Sequence, residues 1–194
     1  MDTTAVLSKF SPSITKMIRM DHSHVTMTAH KFTADAPPDR KRAVVQAVCL
    51  ALDIHAQLEE EIFYPALREV DGGNEVLARA KPEHDEMRRL IGELRGMEPT
   101  DAAYESCFHE LMRDVLHHVA DEETVLLPAA ERLLGDRLSA LGAQMTKRRL
   151  QLAAPHAGEM AMNTARAMPA STMLVAGGLL AGAYLLGRGT DRRH

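Results

Sequence analysis

Residues 55–65 read HAQLEEEIFYP and residues 118–128 read HVADEETVLLP. In both, a histidine is followed by glutamates four and five places on and by a proline ten places on. The correspondence reaches further back. His22, His55 and Glu59 recur as His84, His118 and Glu122, at offsets of 62, 63 and 63 residues. A spacing of four is about one helical turn, so His55 with Glu59, and His118 with Glu122, share a helix face. Apolar residues continue those faces in alternating steps of three and four. The first stripe is Ile18, His22, Val25, Ala29 and Phe32, and the second is Val48, Leu52, His55, Glu59, Ile62 and Ala66. The third is Leu77, Ala80, His84, Met87, Ile91 and Leu94, and the fourth is Leu111, Val115, His118, Glu122, Val125, Ala129 and Leu133. This is the spacing of buried helical seams. Six ionisable groups on four apolar stripes have to meet in one interior. Burying them there is costly unless something satisfies them, and a metal site does so.

Breaker residues place the helices. Ser11-Pro12 opens the first, which ends before Ala36-Pro37-Pro38; the second runs from about Asp39 to Val70 and stops at Asp71-Gly72-Gly73. The third runs from about Asn74 to Met97, and a fourth, capped by Thr100 or Asp101, continues to about Leu134 before Gly135. Connections this short make neighbours antiparallel, so the expected fold is all-α, an up-down-up-down four-helix bundle over residues 12–135. A charged helical extension is expected over 136–152 and a linker rich in Ala, Met and Pro over 153–170. Residues 171–187 form an apolar Gly/Ala/Leu-rich segment. No charge falls between Arg166 and Arg188. That stretch is a candidate membrane anchor, roughly 31 Å long if helical, with Gly178 and Gly182 spaced for close helix contact.

Composition narrows the functional classes. The net charge of −4 argues against a broad phosphate-binding surface, so no nucleic-acid partner is expected. Cys49 and Cys107 have no metal-motif or disulfide-framework spacing and read as buried free thiols of a reducing compartment. The N-terminal stretch MDTTAVLSKFSPS lacks an apolar targeting core, which points to the cytoplasm, with the 171–187 segment as a tether to the inner membrane face. Met17, Met20, Met27, Met87 and Met112 read as flexible core filler. Lys147-Arg148-Arg149 reads most simply as a solvated helix end, or beside a membrane as a contact to anionic lipid. His24 breaks the repeat offset, and His30 and His109 read as surface residues or residues behind the ligands. His117 with Asp121 mimics a ligand pair one residue early, but the proline register selects His118.

Four imidazoles and two carboxylates without a thiolate suit iron, manganese or zinc. The set Asp21-His22, His55-x3-Glu59-Glu60 with Tyr64-Pro65, Glu83-His84, and His118-x3-Glu122-Glu123 with Pro128 resembles the hemerythrin-like HHE cation-binding family. The resemblance implies two iron ions in an oxo- or hydroxo-bridged centre. His22 and His55 would serve one iron, His84 and His118 the other, and Glu59 and Glu122 would bridge them. Asp21, Glu60, Glu83 and Glu123 either orient ligand imidazoles or face solvent. The oxygen carriers of that family have a further histidine one turn from the third-helix ligand, where this chain has Ala80 and Arg88. That departure leaves open positions at the irons and favours redox processing of dioxygen, peroxide or nitric oxide, with an electron donor still unknown, over reversible oxygen carriage. No separate catalytic side chain is expected. The alternative is a non-enzymatic iron or oxygen sensor, or an iron-handling module. The 171–187 segment could also serve membrane or homo-oligomer contact.

Overall fold

Proline and small polar residues divide the chain into rods much as their positions suggest. The structure, a computed structural model, describes residues 11–167. Helix α1 spans Ile14–Ala29, α2 Pro38–Leu58, α3 Tyr64–Asp71, α4 Glu75–Gly96, α5 Tyr104–Asp121, α6 Leu127–Leu134, α7 Arg137–Ala153 and α8 Ala157–Ala167. The Asn74 side chain caps α4 by accepting from the Val76 and Leu77 N–H groups at 3.0 and 3.2 Å. Gly135, at φ 44°, closes α6 in a backbone conformation that favours glycine. The rods α1, α2–α3, α4 and α5–α6 alternate in direction, giving the up-down-up-down bundle. Helix α7 lies against α1 and α2, and α8 against α2.

The two long rods are not uniformly α-helical. A single π-turn, Glu59–Phe63, joins α2 to α3, and another, Glu122–Leu126, joins α5 to α6. Each starts at the glutamate of the repeat, and the Tyr64 and Leu127 N–H groups bond to the carbonyls of Glu59 and Glu122, five residues back. The prolines that end the repeat, Pro65 and Pro128, come immediately after. Proline has no N–H for an i−4 carbonyl and its ring crowds that carbonyl, so the wider turn absorbs the conflict.

Each π-turn inserts one residue, rotating the downstream helix by about 100° relative to a continuous α-helix. The fourth apolar stripe is corrected accordingly. Val125 and Leu133 are 36% and 48% exposed, while Leu126, Ala130 and Leu134 are buried. In the second rod Phe63 and Leu67 are fully buried and Ile62 only partly so. Two methionines also depart from expectation. Met20 and Met27 are exposed, whereas Met17 and Met87 lie in the core.

The expected linker over 153–170 is not borne out over its described part, residues 153–167, because α8 occupies Ala157–Ala167. Ala, Met and Glu favour helix as readily as they fill spacers, and Pro155 sits in a short 3₁₀ turn where it breaks no longer helix. The segment 171–187 lies outside the described residues. Among those described, no helix is long and apolar enough to cross a membrane.

Two apolar clusters hold the bundle. One gathers Ile14, Ile18, Leu58, Phe63, Leu67, Leu126, Leu127 and Leu134 with Leu141 and Met145 of α7. The other gathers Val25, Val48, Leu52, Leu90, Ile91, Phe108, Leu111 and Val115. Cys49 and Cys107 are buried free thiols, and burial pushes the Cys49 thiol up to about 12. Gly142 lets α7 approach the start of α1, since a Cβ there would lie 2.1 Å from the Pro12 carbonyl oxygen. Replacing Gly142 by Ala is therefore expected to destabilise the protein by at least about 1–3 kcal/mol. A thermal unfolding curve checks this, with a fall of roughly 2–4 °C in Tm for each kcal/mol.

Candidate metal centre

The polar layer between the two clusters is made of the six repeated residues. His22 is carried by α1, His55 by α2, His84 by α4 and His118 by α5, all buried. Glu59 and Glu122, the first residues of the two π-turns, have no solvent exposure. Donor atoms of His22, His55, Glu59 and Glu122 lie within 4.8 Å of one another, and those of Glu59, His84 and His118 form a second such group. The fold thus brings all six together, with the histidines grouped as the first two and the last two.

The outer ring nitrogens explain why the inner ones are available. His22 Nδ1 lies 2.9 Å from Glu123, His84 Nδ1 3.0 Å from Glu60 and His118 Nδ1 2.8 Å from Glu83. His55 Nδ1 is 3.5 Å from Asp21. A carboxylate only accepts, so each close contact places a ring proton on Nδ1. In His84 and His118 this leaves the Nε2 lone pair facing inward, whereas His22 Nε2 also donates, to Glu122 at 3.1 Å. The Nε2 atoms of His84 and His118 then sit 3.0 Å apart, lone pair toward lone pair. That is repulsive unless a cation or proton lies between them. His55 has no hydrogen bond at either ring nitrogen, and Glu59 Oε1 is likewise buried without a partner. Orphaned buried donors with a nitrogen–oxygen ligand set fit a first-row divalent ion.

The ionisation balance points the same way. Burial, with Glu122 beside it, pushes the Glu59 carboxyl up. Burial pulls His22 down, but the hydrogen bond and charge of Glu122, with Glu123 behind, hold it up at about 9. Burial would raise Asp21, yet Arg149 and His55 more than offset this and bring it to about 2.

One polar group in the layer was not among the six. The Tyr64 hydroxyl lies 3.1 Å from Glu59, 2.9 Å from Glu122, 3.3 Å from His84 Nε2 and 3.5 Å from His118 Nε2. Burial first, and then the two carboxylates, raise its pKa well above the usual phenol value, so it remains a donor. The residue in register 63 places on is Leu127, also buried. Tyrosine against leucine is a polar mismatch between the two buried copies, as are Thr15 against Leu77 and Thr28 against Leu90, and it was the available signal.

The remaining histidines divide differently. His24, His30, His109 and His117 are exposed. His117, Asp121 and Glu83 do gather within ligand distance. However, Arg79 already supplies a cation there, 2.8 Å from Asp121 and 3.7 Å from Glu83. Against the six core residues lies a small, mostly apolar cavity of about 20 Å³, lined by Val25, Leu52, Met87, Ile91 and Val115 and by the four histidine rings, with Asp53 and Arg88 among its walls.

The family model described as hemerythrin HHE cation binding domain matches residues 13–130. The chain belongs to the hemerythrin HHE family. Among solved structures, a hemerythrin HHE cation-binding domain-containing protein from Mycobacterium kansasii shares the fold, with a TM-score of 0.66 and 20% identity over 81% of this chain and 99% of that one. A protein named DNA nickase from Nostoc sp. (strain PCC 7120) is 27% identical over 117 residues, which is 60% of this chain. The HHE chain spans only 33% of that relative's length.

A cation entering this HHE site must displace the protons that His22 and the buried carboxyl pair hold near neutral pH. Zinc added to chelator-treated protein at pH 7 is expected to release about one proton or more per site. Apparent affinity should fall about tenfold per pH unit below pH 7 for each proton displaced. Isothermal titration in two buffers of different ionisation heat measures the release.

Proposed function

We propose that this HHE bundle holds two iron ions and uses them to bind and redox-process a small oxidant, namely dioxygen, peroxide or nitric oxide. The observation that carries the reading is the inward convergence of four imidazole Nε2 atoms on two fully buried carboxylates. In it, His22 and His55 hold one ion, His84 and His118 the other, and Glu59 and Glu122 serve both. The bound irons would supply electrons and open coordination positions. The protein's own part is geometric and electrostatic. The carboxylates behind the rings hold His22, His84 and His118 by hydrogen bonds, and Asp21 stands 3.5 Å behind His55. The cavity of about 20 Å³ beside the rings exceeds the roughly 10–15 Å³ needed for one water, so it suits a small molecule and excludes a bulky one. Its walls are mostly apolar. Arg88, at that wall, is tied to Glu60 at 2.6 Å.

Tyr64 answers the missing fifth histidine. Its Oη lies on the His84–His118 side, where it can donate a proton or complete a coordination shell. The two halves are therefore chemically unequal in this reading, with a phenol facing one histidine pair only.

A second reading, a sensor or iron-handling module acting through a partner, is favoured by the contact of α7 with the carboxylate behind His55. It predicts metal- or oxidant-dependent association without turnover.

Anaerobic Fe(II) titration followed by admission of air distinguishes these. Two irons per chain are expected, with near-ultraviolet bands after air. His118→Ala and Glu59→Ala should each bind at most one iron and lose those bands. Steady consumption of peroxide by the loaded protein would select redox processing, and its absence would favour sensing. Binding of less than one iron by the unsubstituted chain would refute the di-iron reading.

A further inference from the structure

Behind each inward histidine stands a carboxylate, and beside each carboxylate stands an arginine. Arg19 pairs with Glu123 behind His22, Arg88 with Glu60 behind His84, and Arg79 with Glu83 behind His118. All three of these arginines lie in the four-helix bundle. The fourth does not. Asp21, behind His55, is held by Arg149 of α7, which lies beyond residue 130, where the family match ends. Both terminal nitrogens of Arg149 reach the two Asp21 oxygens, a forked contact across 128 residues of sequence. Of Lys147-Arg148-Arg149, Lys147 is exposed as a solvated helix end would be, but Arg149 is not. Arg148 also pairs with Glu61, at 2.7 Å.

His55 is the ring that most needs such support. Its two nitrogens make no hydrogen bond, and Asp21 at 3.5 Å is the carboxylate behind its Nδ1. The Asp21 side chain is 12% exposed, so little water competes to reorient it. Helix α7 does not depend on Arg149 for its seat, because Leu141, Met145 and the close approach at Gly142 place it independently.

We infer that α7 is an external clamp on one half of the metal centre: Arg149 is a positioning residue that aims Asp21 at His55 and so sets how firmly the His22–His55 half-site retains its ion. The His84–His118 half-site has its backing carboxylates and their arginines within the bundle and so does not depend on Arg149. This rests on the two-ion reading above. Groups that orient a ligand imidazole typically change metal affinity about 10- to 100-fold. Lysine can replace the charge of Arg149 but not its fork.

The test uses the full chain loaded anaerobically with two equivalents of Co(II), whose visible spectrum reports coordination, and tracks release to an excess of chelator. His55→Ala identifies the phase that belongs to the His22–His55 half-site. Arg149→Ala is expected to speed that phase about 10- to 100-fold and shift its cobalt band while leaving the other phase unchanged. Arg149→Lys should restore part of the effect, and Arg148→Ala should change neither phase. Asp21→Asn, which keeps α7 untouched, should mimic Arg149→Ala and serves if that variant folds poorly. Unchanged release in both Arg149→Ala and Asp21→Asn overturns the clamp, and so does equal acceleration of both phases. Failure of the unsubstituted chain to take up two ions would instead overturn the two-ion reading, and the clamp with it.

Discussion

Two carboxylates without solvent exposure and four nearly buried imidazoles occupy the middle of this bundle. Removing a charge from water costs several kcal/mol even after relaxation. That cost governs the surrounding design. Apolar clusters on either side, with side chains that each contribute roughly 1.5–3 kcal/mol on burial, hold the rods together where the polar layer works against them. Outside the layer, a collar of carboxylates and arginines fixes the protons of the rings. The inner lone pairs of His84 and His118 are thereby forced toward one another, and a cation is the natural means of relieving them.

Much of this was legible from spacing. His-x3-Glu in register 63 residues apart placed six residues on four stripes, and the stripes implied the bundle. What spacing could not convey was any departure from a constant rise and twist. The inward set after Glu122 is Leu126 and Ala130 rather than Val125 and Leu133, because the π-turn adds a residue that no apolar pattern announces. The proline ten residues after each histidine is plain in the sequence, but its effect on the preceding turn is not.

Tyr64 and Arg149 were hidden for different reasons. Tyr64 looks like part of a Tyr-Pro motif, and its arrival at the polar layer depends on the other π-turn, Glu59–Phe63. Arg149 sits in a run of three basic residues, the usual appearance of a solvated helix end. Its partner is 128 residues away, a distance over which local pattern carries no information. Helix α8 passes for a spacer because alanine and methionine serve spacers and helices alike.

The collar has a further property in how its members are shared. Asp21 backs His55 and Glu83 backs His118, each within its own half of the repeat, but Glu60 backs His84 and Glu123 backs His22 across the halves. Neither half can therefore orient both of its own imidazoles. During synthesis the first two rods emerge from the ribosome with one ring unsupported, and the site becomes complete only after the last rod, and then Arg149, has emerged. A half-length nascent chain therefore cannot assemble this polar layer in its native geometry, and the two halves are obliged to meet before either is fully ordered.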